Sequence, residues 1–136
     1  MIETKDAFVA GLGRRALRGL AAVVLVAAAG SASAKQCVLP VPDGGDIEPS
    51  PASLEGRIVS ASADAVVVQP KAGGKPVQVR LAAATELFTA YGGGIELKEL
   101  AAGQYASVWF EKCAMPKHGA PVAAVVQVCS LDAEPC

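Results

Sequence analysis

From residue 54 onward the apolar positions recur with a period of two. Leu54 to Ser60, LEGRIVS, places Leu54 and Ile58 on one side of a first strand and charged residues on the other. Ser60 to Asp64 carries turn chemistry, and Ala65 to Gln69, AVVVQ, is a second strand rich in β-branched residues. Pro70 to Lys75 holds Gly73 and Gly74, whose freedom at positive φ suits a hairpin loop. Val77 to Leu81 alternates again, with Val77, Val79 and Leu81 facing in, and the run can continue through Thr85 to Phe88 after a bend at the alanines. After Gly92-Gly93-Gly94, the stretch Ile95 to Ala102 has helical spacing. It predicts one or two turns laying Leu97, Leu100 and Ala101 across a barrel mouth, ended by Gly103. Tyr105 to Cys113 is a fourth strand with Ala106, Val108 and Phe110 inward and Tyr105, Ser107, Trp109, Glu111 and Cys113 outward. Val122 to Leu131 is a fifth, with Ala124, Val126 and Val128 inward and Val125, Gln127 and Cys129 outward.

Five short strands, with a long third one and a helical turn between the third and fourth, predict an all-β fold. The expected architecture is a small five-stranded OB-like barrel, partly open, over residues 54–131, with 132–136 as a tail. An antiparallel meander or a small sandwich is the alternative. Closure is preferred because it leaves fewer unpaired strand edges.

The pattern before residue 54 differs. Residues 35–53 contain four prolines and a Gly-Gly, so regular structure is not expected. They read as an extended arm tied down at Cys37, or as a loose tether; the arm is preferred, because a cysteine in a loose tail would have no fixed partner. Residues 1–34 place Arg14, Arg15 and Arg18 ahead of the apolar run Leu20 to Ala29, followed by Ala32-Ser33-Ala34. That order predicts a signal peptide cleaved between Ala34 and Lys35. The apolar run is about half the roughly 20 residues that a membrane span requires. Arg18 stands where a twin-arginine signal would carry an apolar residue, which favours the general secretory route. Gln36 before Cys37 does not fit lipidation of that cysteine.

This segmentation changes what the composition means. Much of the 52% hydrophobic content of the 136 residues lies in the leader. Cleavage would remove four of the 12 basic residues and two of the 13 acids, leaving an exported chain with a net charge of −3. A mildly acidic domain lacks the concentrated positive charge of nucleic-acid binders and any electrostatic attraction to anionic membranes.

All four cysteines, Cys37, Cys113, Cys129 and Cys136, fall in the exported part, where an even count favours two disulfides. Zinc would require closer pairs than these. A hairpin centred near Lys117 and His118 sets Cys113 opposite Val122 and Cys129 opposite Ser107. The two cysteines are then displaced by roughly 23 Å, against the ~7 Å between Cα atoms that a disulfide tolerates. Two connectivities survive: Cys37–Cys113 with Cys129–Cys136, or Cys37–Cys129 with Cys113–Cys136. The first is preferred, because the six residues between Cys129 and Cys136 let the tail fold back on its own strand.

Candidate chemistry is sparse. His118 is the one histidine, and Pro116, Lys117, Gly119 and Ala120 around it spell a solvated loop tip rather than a general base with partners. Ser107 and Ser130 lack a nucleophile motif, and the triple glycine lacks the Lys-Ser/Thr of a phosphate loop. No catalytic residue, metal ligand or cofactor is expected. Trp109 stands out, since alternation puts its indole outside the barrel near Tyr105. Either the arm from Val38 to Pro42 covers it, or Trp109 and Tyr105 form a binding face for a peptide, glycan or partner protein.

The series Glu55-Gly56-Arg57-Ile58-Val59-Ser60, Ala65 to Val68, Val77-Gln78-Val79 and Leu97 to Val108 resembles a pattern of uncharacterised exported bacterial domains with an OB-like barrel. It runs G-x-[IV], a strand, a Gly hairpin, a strand, L-x-x-L-x-x-G and a closing pair of strands, and covers residues 54–131. The resemblance implies the fold and an envelope or extracellular location, and carries over no catalytic residue. The cysteines and the Pro-rich arm depart from it. The expectation is an exported, disulfide-stabilised binding or accessory domain, periplasmic or secreted, without a membrane span after cleavage. A small secreted enzyme or enzyme inhibitor lacking a recognisable catalytic motif is the alternative.

Overall fold

A computed structural model describes residues 35–136. The predicted leader and its cleavage point at Ala34 and Lys35 lie outside the described residues or at their edge. Five strands carry the chain: β1 (Leu54–Ala61), β2 (Ala65–Pro70), β3 (Val77–Thr89), β4 (Tyr105–Phe110) and β5 (Val122–Val128). They close into a barrel in the order β1-β2-β3-β5-β4, with β1 pairing back onto β4. The fold is all-β, as the periodicity predicts, but the barrel is closed rather than partly open. Two features close it. β1 is antiparallel to both β2 and β4, and β3 is long enough to serve two neighbours in turn. The first residues of β3 pair antiparallel with β2; from Arg80 onward it runs parallel to β5, with an irregularity between Leu81 and Glu86. Thr85 fills that irregularity: its hydroxyl accepts from the Ala82 amide at 2.9 Å and donates to the Ala123 carbonyl at 2.7 Å.

The inward residues meet in one core of Leu54, Ile58, Val66, Val68, Val79, Leu100, Ala106, Val108, Phe110, Ala123, Val126 and Val128. Valines dominate because β-branched side chains fill a narrow barrel without voids or polar atoms. Gly56 shows how tightly β1 and β2 approach. A Cβ built there would lie 2.0 Å from the carbonyl oxygen of Gln69, so the position admits only hydrogen.

Four expectations need correction. In β5 it is Ala123, not Ala124, that faces the core, because Ala124 is the extra residue of a bulge: Trp109 pairs with Val125 while Phe110 pairs with Ala123. The bulge shifts the parity by one, and Ala124 packs outside. The β4–β5 register differs by two residues from a hairpin centred at Lys117 and His118, with Ser107 opposite Gln127 and the Cys129 amide donating to the Tyr105 carbonyl at 3.0 Å. β4 ends at Phe110, and Cys113 turns away with φ of 54°, its amide donating to the Phe110 carbonyl. The short helical turn expected within Ile95 to Ala102 is present as a 3-10 turn at Leu97–Glu99, without the second turn that would have carried Ala101 inward. Its ends explain this: Ile95 is bonded to Leu87, and Gly103 and Gln104 are bonded to Ile58, leaving no room for a full helix. Leu97 and Leu100 still plug the barrel, while Ala101 is exposed.

Candidate binding cleft

The two outer aromatic residues of β4 have separate environments. Trp109 retains 5% exposure, inside a small outer cluster with Phe88 and Val125. Leu39 and Ala52 of the preceding segment pack over that cluster, as does Cys113. The Trp109 Nε1–H donates to the Ser50 carbonyl at 2.7 Å. The segment is not a simple extended arm but a loop that doubles back, with the Ser50 amide donating to the Val38 carbonyl at 2.8 Å and the Val38 amide donating to the Ser50 hydroxyl at 2.9 Å. Cys37–Cys113 ties its start to the end of β4, with Cα atoms 5.5 Å apart. Trp109 is therefore a covered residue.

Tyr105 lies four residues away along β4, roughly 13 Å at a strand's rise. Register places it beside Arg57 of β1, which in turn opposes Gln69 of β2. The Arg57 guanidinium lies 4.5 Å from the centroid of the Tyr105 ring, and one of its N–H groups donates to the Tyr105 hydroxyl. A planar cation held over an aromatic face gains electrostatically from the ring and loses rotamer freedom. One step along the sheet, Glu55 opposes Ser107, and the Lys71 amide donates to the Glu55 carbonyl at 2.8 Å.

These residues line a cleft of about 550 Å³, together with Gly56, Pro70, Ala106, Cys129, Pro135 and Cys136. Its far wall is the tail, folded back by the Cys129–Cys136 disulfide with Cα atoms 5.0 Å apart. Cys129 is itself 5% exposed and sits on the outer side of the sheet. Both disulfides follow the connectivity preferred from the sequence, and no described cysteine is free. The register correction leaves that preference intact, since it does not bring Cys113 to Cys129.

A second hollow of about 490 Å³ lies between the 41–45 turn and the triple-glycine loop, where Tyr91 is 88% exposed. His118 is exposed in the β4–β5 loop, and the Ser130 hydroxyl is committed to the Asp132 carbonyl at 2.7 Å. Ser107 is half-buried in the wall of the cleft. Among the described residues no group of His, Cys, Asp and Glu side chains is placed to hold a metal ion. No family model, curated protein or solved structure matches the chain. Among the described residues no helix is long and apolar enough to cross a membrane.

Sequence reasoning missed two residues here. Gln104, 2% exposed, accepts from the Ala101 amide at 2.9 Å and donates to the Glu99 carbonyl at 2.8 Å and the Leu131 carbonyl at 3.3 Å, so it joins the 3-10 turn to the tail. A polar residue directly between Gly103 and a strand was the available signal. Arg57 was read only as an outward position of β1. Its pairing with Tyr105 depends on β1 lying next to β4, which alternation within one strand does not reveal.

Proposed function

We propose that this chain is an exported, disulfide-stabilised binding domain of the bacterial envelope or extracellular space, and that it takes its ligand in the Arg57–Tyr105 cleft. The cleft carries the proposal. Its volume falls within the few hundred to about a thousand Å³ usual for small-ligand sites. Most of its polar groups (Glu55, Arg57, Gln69, Tyr105 and Ser107) sit on paired strands, Lys71 follows β2 directly, and a disulfide holds its far wall, so the site is largely formed before a ligand arrives. An OB-like barrel is the fold reading that accompanies the proposal: the closed order β1-β2-β3-β5-β4, with the 3-10 turn between β3 and β4, is what it would require. Two disulfides are compatible with an oxidising compartment.

Two measurements test it. The full chain expressed in a bacterial host is expected in the periplasm or medium, with an intact mass beginning at Lys35 and no free thiol. Retention in the cytoplasm with a reduced, uncleaved chain would count against export. A fragment screen by amide chemical shifts is expected to perturb residues 55–57, 69–71 and 105–107 together. Perturbations confined to the Tyr91 hollow would move the site elsewhere.

A further inference from the structure

The polar groups of the cleft are unequally used. Arg57 has five N–H donors, and among the described residues its one hydrogen bond goes to the Tyr105 hydroxyl. Lys71, Ser107 and Glu55 make no side-chain hydrogen bond or ion pair among the described residues, whose one salt bridge, Lys98–Glu96, lies elsewhere. The ring of Tyr105 holds the guanidinium, so the remaining fork is offered to solvent with part of its orientational entropy already lost. Pro70 and Pro135 supply apolar surface beside it.

Resting on the binding-domain reading above, the geometry points to a specific ligand class: the cleft binds the carboxylate of a small organic acid, received on the free fork of Arg57 with Lys71 and Ser107 alongside. A guanidinium matches a carboxylate in a planar, two-point pairing that an ammonium does not reproduce. Among the charged side chains that line the cleft, Arg57 and Lys71 are opposed by Glu55, which shares the outer face of β1 two residues from Arg57. The cleft has neither a helix N-terminus nor a glycine-rich turn to gather amides around a phosphate dianion, which would also be repelled by Glu55. The apolar flank accepts the body of the acid.

The test is titration of the disulfide-intact protein with benzoate, with methyl benzoate as the neutral counterpart and inorganic phosphate as the competing oxyanion. Benzoate is expected to shift the amides of residues 56–57, 71 and 106–107 saturably, with a dissociation constant on the order of 1 mM. Methyl benzoate and the Arg57→Gln variant should each weaken binding at least about tenfold, the scale of one charge-assisted hydrogen bond. Glu55→Gln should tighten it by about two- to fivefold, as removal of a neighbouring like charge does near a surface. Arg57 and Glu55 are exposed, so unchanged Trp109 emission verifies the fold of both variants. Equal binding of ester and acid, untouched by Arg57→Gln, would refute the carboxylate assignment while leaving a binding cleft. Tighter binding of phosphate than of benzoate would also refute it. Saturation by none of the three would overturn the carboxylate site, and an empty fragment screen at the same residues would remove the binding-domain reading with it.

Discussion

The indole of Trp109 is fastened to Ser50 by a 2.7 Å hydrogen bond, which joins the chain's one tryptophan to a segment that precedes the barrel. Ser53 extends that attachment into the sheet: its amide donates to the Val108 carbonyl at 2.9 Å and its hydroxyl accepts from the Phe110 amide at 3.2 Å. The cover is thus held by backbone pairing at one end and by Cys37–Cys113 at the other.

Cys37→Ser should release the free end of that cover. Its crosslink spans 76 residues, and closing such a loop restricts the unfolded chain by about 4.5 kcal/mol in the chain-entropy model. Tryptophan emission should move to longer wavelength and limited proteolysis should cut between residues 38 and 50. Unchanged emission with full protection would mean that the Trp109–Ser50 contact holds the cover without the disulfide.

Gly56→Ala is expected to destabilise the barrel by at least about 2 kcal/mol, since the added methyl meets the Gln69 backbone and the strands cannot separate without breaking their ladder. Denaturant unfolding checks this. A change within about 0.5 kcal/mol, the range of ordinary surface substitutions, would show that β1 and β2 can part easily there.

Gln104→Leu keeps the side chain's bulk but removes its hydrogen bonds to the Glu99 and Leu131 carbonyls and from the Ala101 amide. Leaving such buried groups unpaired costs about 1–3 kcal/mol. Thermal unfolding should report the loss, and amide exchange should quicken at Ala101.

Removing the short disulfide with Cys129→Ser and Cys136→Ser should matter less to global stability, because the cysteines are separated by 7 residues and the chain-entropy contribution is about 2.4 kcal/mol. The larger effect is expected in the cleft, whose wall it fixes. Benzoate affinity should fall while Trp109 emission stays constant. A fall in both would indicate that the tail supports the barrel as a whole.

Much of the barrel was legible in the residues. Alternation in Leu54-Glu55-Gly56-Arg57-Ile58 and in Ala106-Ser107-Val108 sorted inside from outside, because successive side chains of a strand must face opposite ways. The same rule failed at Ala123-Ala124, where two identical small residues give no sign of which one bulges. Helical spacing over Ile95 to Ala102 foretold the turn at Leu97–Glu99 but not its length: anchoring at Leu87 and Ile58 holds it to one 3-10 turn.

The chain by itself determined the all-β class, the inward valines of β3, β4 and β5 and the preferred disulfide pairs, all of which follow from periodicity and from the reach of a few residues. Tertiary structure decided that the barrel closes, that Trp109 is covered, and that Arg57 meets Tyr105 beside a disulfide-bound tail. Those relations join residues dozens of positions apart. Local pattern specifies which face a side chain takes, but only the pairing of strands specifies its neighbour on that face.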